Sequence, residues 1–297
     1  MSVSAGAVEQ LPTVSIPDLP VSGGLGRGTR VTLRFGLGIL IVALVASLVV
    51  RVFGLGHPYT PDYNAILQSP SLAHPFGTDE LGRDILIRTL YATFTDLKAG
   101  LIATATPLLI GLLAGGLAGY VGGWIGALVM RLIEFVQAFP ALILILAVIA
   151  IFGPGMTGIY VGLIVTGIPT YVRLTRGEML VLREQQFILA AQTLGLPRRR
   201  VIMRHALPHV LRPSFVYSLS DILNNMLALA ALSYLGLGVQ PPTAEWGAII
   251  ADGQTYLFTS WWISTLPGVF VVLVGVGFSL TGEALADRLR VRVTGRG

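Results

Sequence analysis

Cysteine is absent from the 297 residues. That excludes disulfide frameworks, iron–sulfur clusters and thiolate zinc sites. Charge is scarce as well: 12% of residues are Asp, Glu, Lys or Arg, against about 25% in a typical soluble domain. So few charges cannot cover the surface of a soluble protein of this length, which excludes an ordinary cytosolic enzyme and a nucleic-acid-binding domain. Lysine is nearly missing, since 19 of the 20 basic residues are arginine and Lys98 stands alone. What fills the chain is apolar: 54% of residues, with a mean hydropathy of +0.76. In such a chain the net charge of +5 reflects topology determinants rather than a nucleic-acid footprint.

A membrane-crossing helix needs ~20 mostly apolar residues. Residues 1–26 offer no such run and carry Pro12, Pro17 and Pro20, so they read as a flexible tail and not as a signal peptide. Six spans follow, over about 33–53, 98–119, 130–152, 156–175, 213–236 and 261–282. Gly119 to Gly123 breaks the first long uncharged run, and Gly153-Pro154-Gly155 divides the second. The expected organisation is a tail over 1–30, a first transmembrane helix over 31–53, an extracytoplasmic segment with an amphipathic helix over 54–97, a core over 98–286, and a tail over 287–297. Thr78 or Asp79 would cap the amphipathic helix, and Asp84 with Arg88 would make an i,i+4 pair. The fold class is all-α, with six transmembrane helices and both termini on one side.

If that side is the cytoplasm, 16 of the 20 basic residues lie in cytoplasmic segments, and Arg51, Arg83, Arg88 and Lys98 lie outside. The positive-inside rule therefore favours cytoplasmic termini. Six spans without an internal repeat suit half of a dimeric pore better than a two-repeat transporter.

The longest cytoplasmic connection runs over 177–212. Its first helix, about 178–194, carries Met179, Leu182, Gln186, Leu189 and Thr193 along one side, and Gly195 is placed to cap it. Pro197 fits the first turn of a second helix with Arg198, Arg199, Arg200 and Arg204, which stops near Pro208. The small residues Ala190, Ala191 and Gly195 would admit close approach by another protein. Composition alone also allows an interfacial amphipathic helix with arginines at the headgroups. His205 and His209 share a spacing of four, but with no further ligand nearby they fit a helix end better than a metal site.

Leu189-Ala190-Ala191, then Gly195, then His205-Ala206-Leu207-Pro208 resembles the EAA loop of ABC importer permeases at every spacing. Leu189 stands where glutamate is usual and His205 where isoleucine is usual. HPFGTDELGRD at 74–84, AGYVGGW at 118–124 and LSYLGLGVQPPTAEWG at 232–247 resemble the C-type permease of dipeptide and oligopeptide importers. The resemblance implies a type I ABC importer: a homologous second permease subunit, two ATPase subunits or domains, and an extracytoplasmic solute-binding protein. It implies that Phe187, Leu189, Ala190, Ala191, Leu194, Gly195, Arg198, Leu207 and Pro208 couple to the ATPase. It also makes Asp79, Arg83, Gln240 and Trp246 candidates for an extracytoplasmic gate or docking site. The chain has no G-x-x-x-x-G-K-[ST] phosphate loop. ATP and magnesium are therefore expected on the partner subunits, with no cofactor on this chain and lipid around it.

Asp221 lies about two turns into the fifth span and shares a face with Asn225, with Asn224 adjacent. Intramembrane acids line a water cavity or join helices; both readings are open. Asp221, Asn224, Asn225 and Gln137 are the candidates for a translocation pathway. Asp84, Asp79 and Glu80 read as structural, and Trp246 as an interface anchor. The function expected is that of a permease subunit for di- or oligopeptides. The alternatives are a nickel or glutathione importer of the same branch, and a proton-coupled secondary transporter built on Asp221. A reporter fused after Gly195 should read cytoplasmic and one fused after Gln240 extracytoplasmic; the reverse pattern would overturn the orientation.

Overall fold

A computed structural model of the protein describes residues 27–294, so the tail expected over 1–26 lies outside the described residues. Ten α-helices are found there: α1 (Arg27–Val52), α2 (Ile85–Val121), α3 (Gly123–Gln137), α4 (Ala141–Phe152), α5 (Met156–Leu182), α6 (Gln186–Thr193), α7 (Arg198–Arg200), α8 (Leu207–Tyr234), α9 (Trp246–Asp252) and α10 (Trp262–Thr294). A π-turn over Val201–Ala206 joins α7 to α8. The described residues contain no strand, only one isolated bridge between Thr78 and Asp84. Five stretches are long and apolar enough to cross a membrane, and α3 with α4 make a sixth if that bent pair is one passage.

Several expected boundaries move. The second span is not preceded by a separate amphipathic helix: α2 begins at Ile85 and runs unbroken for 37 residues. Asp84, not Thr78 or Asp79, is its cap, with Oδ1 accepting from the Ile87 amide at 2.9 Å. The third span is bent by 85° between α3 and α4. Pro140 precedes α4 and cannot continue the hydrogen-bond ladder of α3. The helix expected over 178–194 is interrupted at 183–185, where α5 ends and α6 starts. Pro208 does not stop a helix; it directly follows the π-turn, in the first turn of α8. Pro197 precedes α7 rather than sitting in its first turn. The carboxyl-terminal tail expected from 287 is helical as far as Thr294.

The centre of the bundle is the contact of α2 with α5. Gly111, Gly115, Gly116 and Gly119 recur along one stripe of α2. A Cβ at Gly111 would fall on the Tyr171 Cβ and lie 2.8 Å from the Tyr171 carbonyl carbon. A Cβ at Gly119 would lie 2.8 Å from the Met179 Cβ and 2.9 Å from the Arg176 carbonyl oxygen. The two backbones thus meet without intervening side chains, as small residues permit in membrane bundles. Helix α8 packs against the same pair, α4 covers the first half of α5, and α1 lies along α10.

Three buried clusters stack along the bundle. The first joins Ile85 and Ala92 of α2 to Trp246 and Ile249 of α9 and to Ile263 of α10. The second joins Ala99 and Ala103 to Ile145 of α4, Ile159 and Leu163 of α5, and Leu229 of α8. The third gathers Met179, Ile188, Ala191, Val201, Ala206 and Leu207 around α6. Outward positions of α1, such as Phe35, Ile41 and Val42, are exposed and apolar, as a lipid-facing surface requires.

Gly111→Ala should overpack the α2–α5 seam and cost about 1–3 kcal/mol, read as a lowered melting temperature in detergent. Gly38→Ala, where no atom lies within 4 Å of the added Cβ, should be neutral or slightly stabilising.

Candidate functional site

The end of the bundle that holds α6 presents a small, well-anchored surface. Ile188 and Ala191 point into the third cluster, while Phe187, Leu189, Ala190 and Leu194 are exposed. Leu194 is 82% exposed, an apolar side chain displayed to whatever lies beyond. The helix ends as the sequence suggests. Gly195 has φ +74°, its N–H donates to the Gln192 carbonyl at 2.9 Å, and the Leu196 N–H reaches back to the Ala191 carbonyl at 3.2 Å. That is a Schellman ending, and the left-handed position favours glycine. Gln192 Nε2 donates to the Tyr120 hydroxyl at 3.0 Å, and Arg183 Nη1 at the end of α5 to the Gly119 carbonyl at 3.2 Å, so α6 and the turn before it are tied back to the end of α2. A cavity of about 600 Å³ beside it is lined in part by Tyr120, Arg183, Gln192 and Arg198.

Of the nine coupling candidates, Phe187, Leu189, Ala190, Leu194, Gly195, Arg198 and Pro208 are exposed, and Ala191 and Leu207 are buried in this chain's own core. The last two support the surface rather than form it. The rings of His209 and Phe187 lie 5.2 Å apart, and His209 Nδ1 meets the His205 carbonyl at 2.7 Å, which links α6 to the start of α8.

The opposite end is held by buried charge. Asp79 is fully buried, and its Oδ2 accepts from Arg83 Nε at 2.7 Å and Arg88 Nη1 at 2.6 Å. Its Oδ1 accepts the Leu81 and Arg83 amides, each at 2.9 Å. Arg88 also reaches Asp252 of α9 at 3.3 Å. The expected Asp84–Arg88 pair does not form; Asp84 pairs with His74 at 2.8 Å. Burial raises the Glu80 carboxyl above the usual carboxylate range, and its acidic neighbours Asp79 and Asp252 push the same way.

Trp246 is not an interface anchor. It is 2% exposed, with Nε1 donating to the Thr89 carbonyl at 3.0 Å. Glu245, also buried, caps α9 by accepting the Gly247 and Ala248 amides at 2.9 and 2.8 Å. Asp79, Arg83 and Trp246 are therefore internal braces at this end, and of the four gate or docking candidates only Gln240 is exposed.

Between the two ends lies a polar layer. The Tyr171 hydroxyl of α5 donates to Asp221 Oδ2 at 2.9 Å, and Asn225 Nδ2 donates to the same oxygen at 3.2 Å and to Thr104 Oγ1 of α2 at 2.9 Å. Asp221 and Asn225 thus join α2, α5 and α8, while Asn224 is exposed and makes no part of that cluster. Gln137 lies elsewhere: its Oε1 accepts from Arg173. Arg173 was not among the sequence candidates, although it closes an uncharged run that starts after Glu134.

This arrangement, a helical bundle of five or six passages with one small helix displayed at its end, is that of an ABC transporter permease. The fold resembles the structure described as inward-facing conformations of the MetNI methionine ABC transporter, with a TM-score of 0.53 at 19% identity over 70% of this chain and 95% of that one. Residues 109–293 match the family described as binding-protein-dependent transport system inner membrane component. The chain belongs to that family. It is 37% identical over 259 residues to the probable D,D-dipeptide transport system permease protein of Escherichia coli K12, covering 87% of each chain. It is 37% identical to the dipeptide transport system permease protein of Alkalihalophilus pseudofirmus over 75% of this chain and 73% of that one. It is likewise 37% identical to the glutathione transport system permease protein of Escherichia coli O6:K15:H31, over 79% and 77%. The expected all-helical importer fold and the permease class are therefore shown, and membership of a binding-protein-dependent system displaces the secondary-transporter reading.

Because Asn preserves the acceptor oxygen that Tyr171 and Asn225 use, Asp221→Asn should assemble normally. Asp221→Leu should lose about 1–2 kcal/mol of helix association, seen as a lower melting temperature of the purified complex.

Proposed function

We propose that this chain is one permease of an ATP-driven peptide importer, and that the face of α6 carrying Phe187, Leu189, Ala190, Leu194 and Gly195 docks in a groove of a separate ATPase subunit. The observation that carries this is the division of labour within one short helix: Ile188 and Ala191 anchor it, while Phe187, Leu189 and Leu194 are left exposed by the described residues. An interfacial helix would need only lipid there, but the Gln192–Tyr120 and Arg183–Gly119 bonds fix the orientation of α6 against α2 and α5. Fixed orientation suits a protein partner.

ATP and magnesium belong to that partner, since this sequence holds no phosphate loop. A homologous second permease completes the pore. The positive-inside count supports a cytoplasmic α6 end and cytoplasmic termini. The braced α9 end then faces an extracytoplasmic binding protein, with Gln240 the one gate or docking candidate left on its surface. Peptides are the substrate class favoured by the relatives. The glutathione relative fits the same class, because glutathione is itself a small peptide. Leu189 replaces the glutamate usual at its position, so the ATPase groove meets an apolar side chain here and no ion pair from this residue.

Ala190→Glu places bulk and charge on the docking face at an exposed position. The complex should insert and assemble, yet lose most of its solute-stimulated ATP hydrolysis. Ala191→Glu should instead fail to accumulate, because Ala191 is buried. Normal stimulated hydrolysis in Ala190→Glu would exclude docking through α6.

A further inference from the structure

Arg173 is exposed, although it belongs to the 27-residue helix α5. At 1.5 Å per residue it lies about 26 Å from the Met156 end and about 14 Å from the Leu182 end. With the Leu182 end cytoplasmic, a hydrocarbon slab ~30 Å thick that begins at the Met156 end reaches just past Arg173, which stands at its cytoplasmic margin. An arginine at that margin faces water, a headgroup or a partner group. Its neighbour Tyr171 points the other way, into the α2–α5–α8 cluster. Arg173 therefore lies at the depth of the internal polar layer but on the opposite side of α5.

That side is built for polar contact. Gln137, at the last turn of α3 before the Pro140 break, accepts from Arg173. A cavity of about 440 Å³ opens there, lined by Gln137, Thr170, Arg173, Leu174, Gly177 and Glu178. It is open to the surface, with room for a small solute. Gln137 engages Arg173 through one carbonyl oxygen, and a guanidinium has five N–H donors in a fork that matches a carboxylate. Glu178 gives the same cavity a negative group, so its field runs from plus to minus across the space between them.

We propose that this cavity is a solute-binding station on the translocation path that takes a small zwitterion, with its carboxylate on Arg173 and its ammonium group towards Glu178. The proposal rests on the permease reading above and adds a site to it. Gln137 positions the guanidinium, and Thr170 and Gly177 leave room for the solute's backbone.

The absence of cysteine makes the test direct. The full complex carrying Thr170→Cys is placed in inside-out vesicles and treated with the membrane-impermeant sulfonatoethyl and trimethylammonioethyl methanethiosulfonates, with labelling read on this chain by mass. Arg173 should favour the anionic reagent by roughly tenfold, and Arg173→Gln should bring the ratio towards one. Alanyl-alanine should slow labelling more than its carboxyl amide or its N-acetyl derivative, neither of which is a zwitterion. No labelling in any nucleotide state would place this face against lipid or a subunit and overturn the proposal. A charge ratio unaffected by Arg173→Gln would also overturn it, as would equal protection, or none, by the three compounds. Labelling needs no transport. Failure of alanyl-alanine to stimulate ATP hydrolysis in the unmutated complex would thus count against the peptide reading and leave the labelling result to judge the site.

Discussion

Everything in this bundle is positioned by the approach of two backbones. Apolar side chains gain little by leaving lipid for one another, so helices in a bilayer associate through close packing and hydrogen bonds. The stripe of glycines on α2 removes the atoms that would hold α5 away, and Tyr171, Val172, Thr175 and Met179 fit into the space. Once α5 is seated, its two sides are defined. Tyr171 faces inward and meets Asp221 of α8, and Arg173 faces outward towards Gln137. A single added methyl group on the stripe would shift both.

The two ends of the molecule solve different problems. At the α9 end, the non-helical segment before α2 is held by buried ions. Asp79 joins two arginines, and Arg88 extends the network to Asp252. Replacing one partner of such a group leaves an uncompensated charge in the interior, which is why buried ion pairs fix geometry more than they add stability. At the α6 end the fastening is a compact apolar cluster and a few hydrogen bonds to the end of α2. The first construction braces an irregular segment, and the second presents a short helix while leaving its far face free.

The sequence made some of this legible and hid the rest for physical reasons. Gly195 could be read as a helix ending because a left-handed residue at that place favours glycine. The EAA-like spacing located the displayed helix, because spacing survives substitution of Leu189 and His205. Burial was not legible. Trp246 looks like an interface residue until the packing of α9 against α2 and α10 encloses it, and Asp79 looks like a helix cap until Arg83 and Arg88 close over it. Asp84 was paired with Arg88 by their spacing along a helix, yet it lies outside that helix and caps it. Arg173 was overlooked because a charge at the end of an apolar run resembles an ordinary span boundary. Its significance lies in its contact with Gln137.

The displayed loop and the fifth span are not separate bodies. From Arg198 through the π-turn to Tyr234 the chain is helical for 37 residues without a flexible joint, a rod about 55 Å long. Its first turns lie under α6, its middle carries Asp221, and its far end lies against α9, where a Cβ at Gly247 would collide with the Ala230 backbone. A push on one tip is therefore a tilt of the whole member. The π-turn, with its extra residue per turn, and Pro213 interrupt the regular ladder of that rod near its cytoplasmic tip.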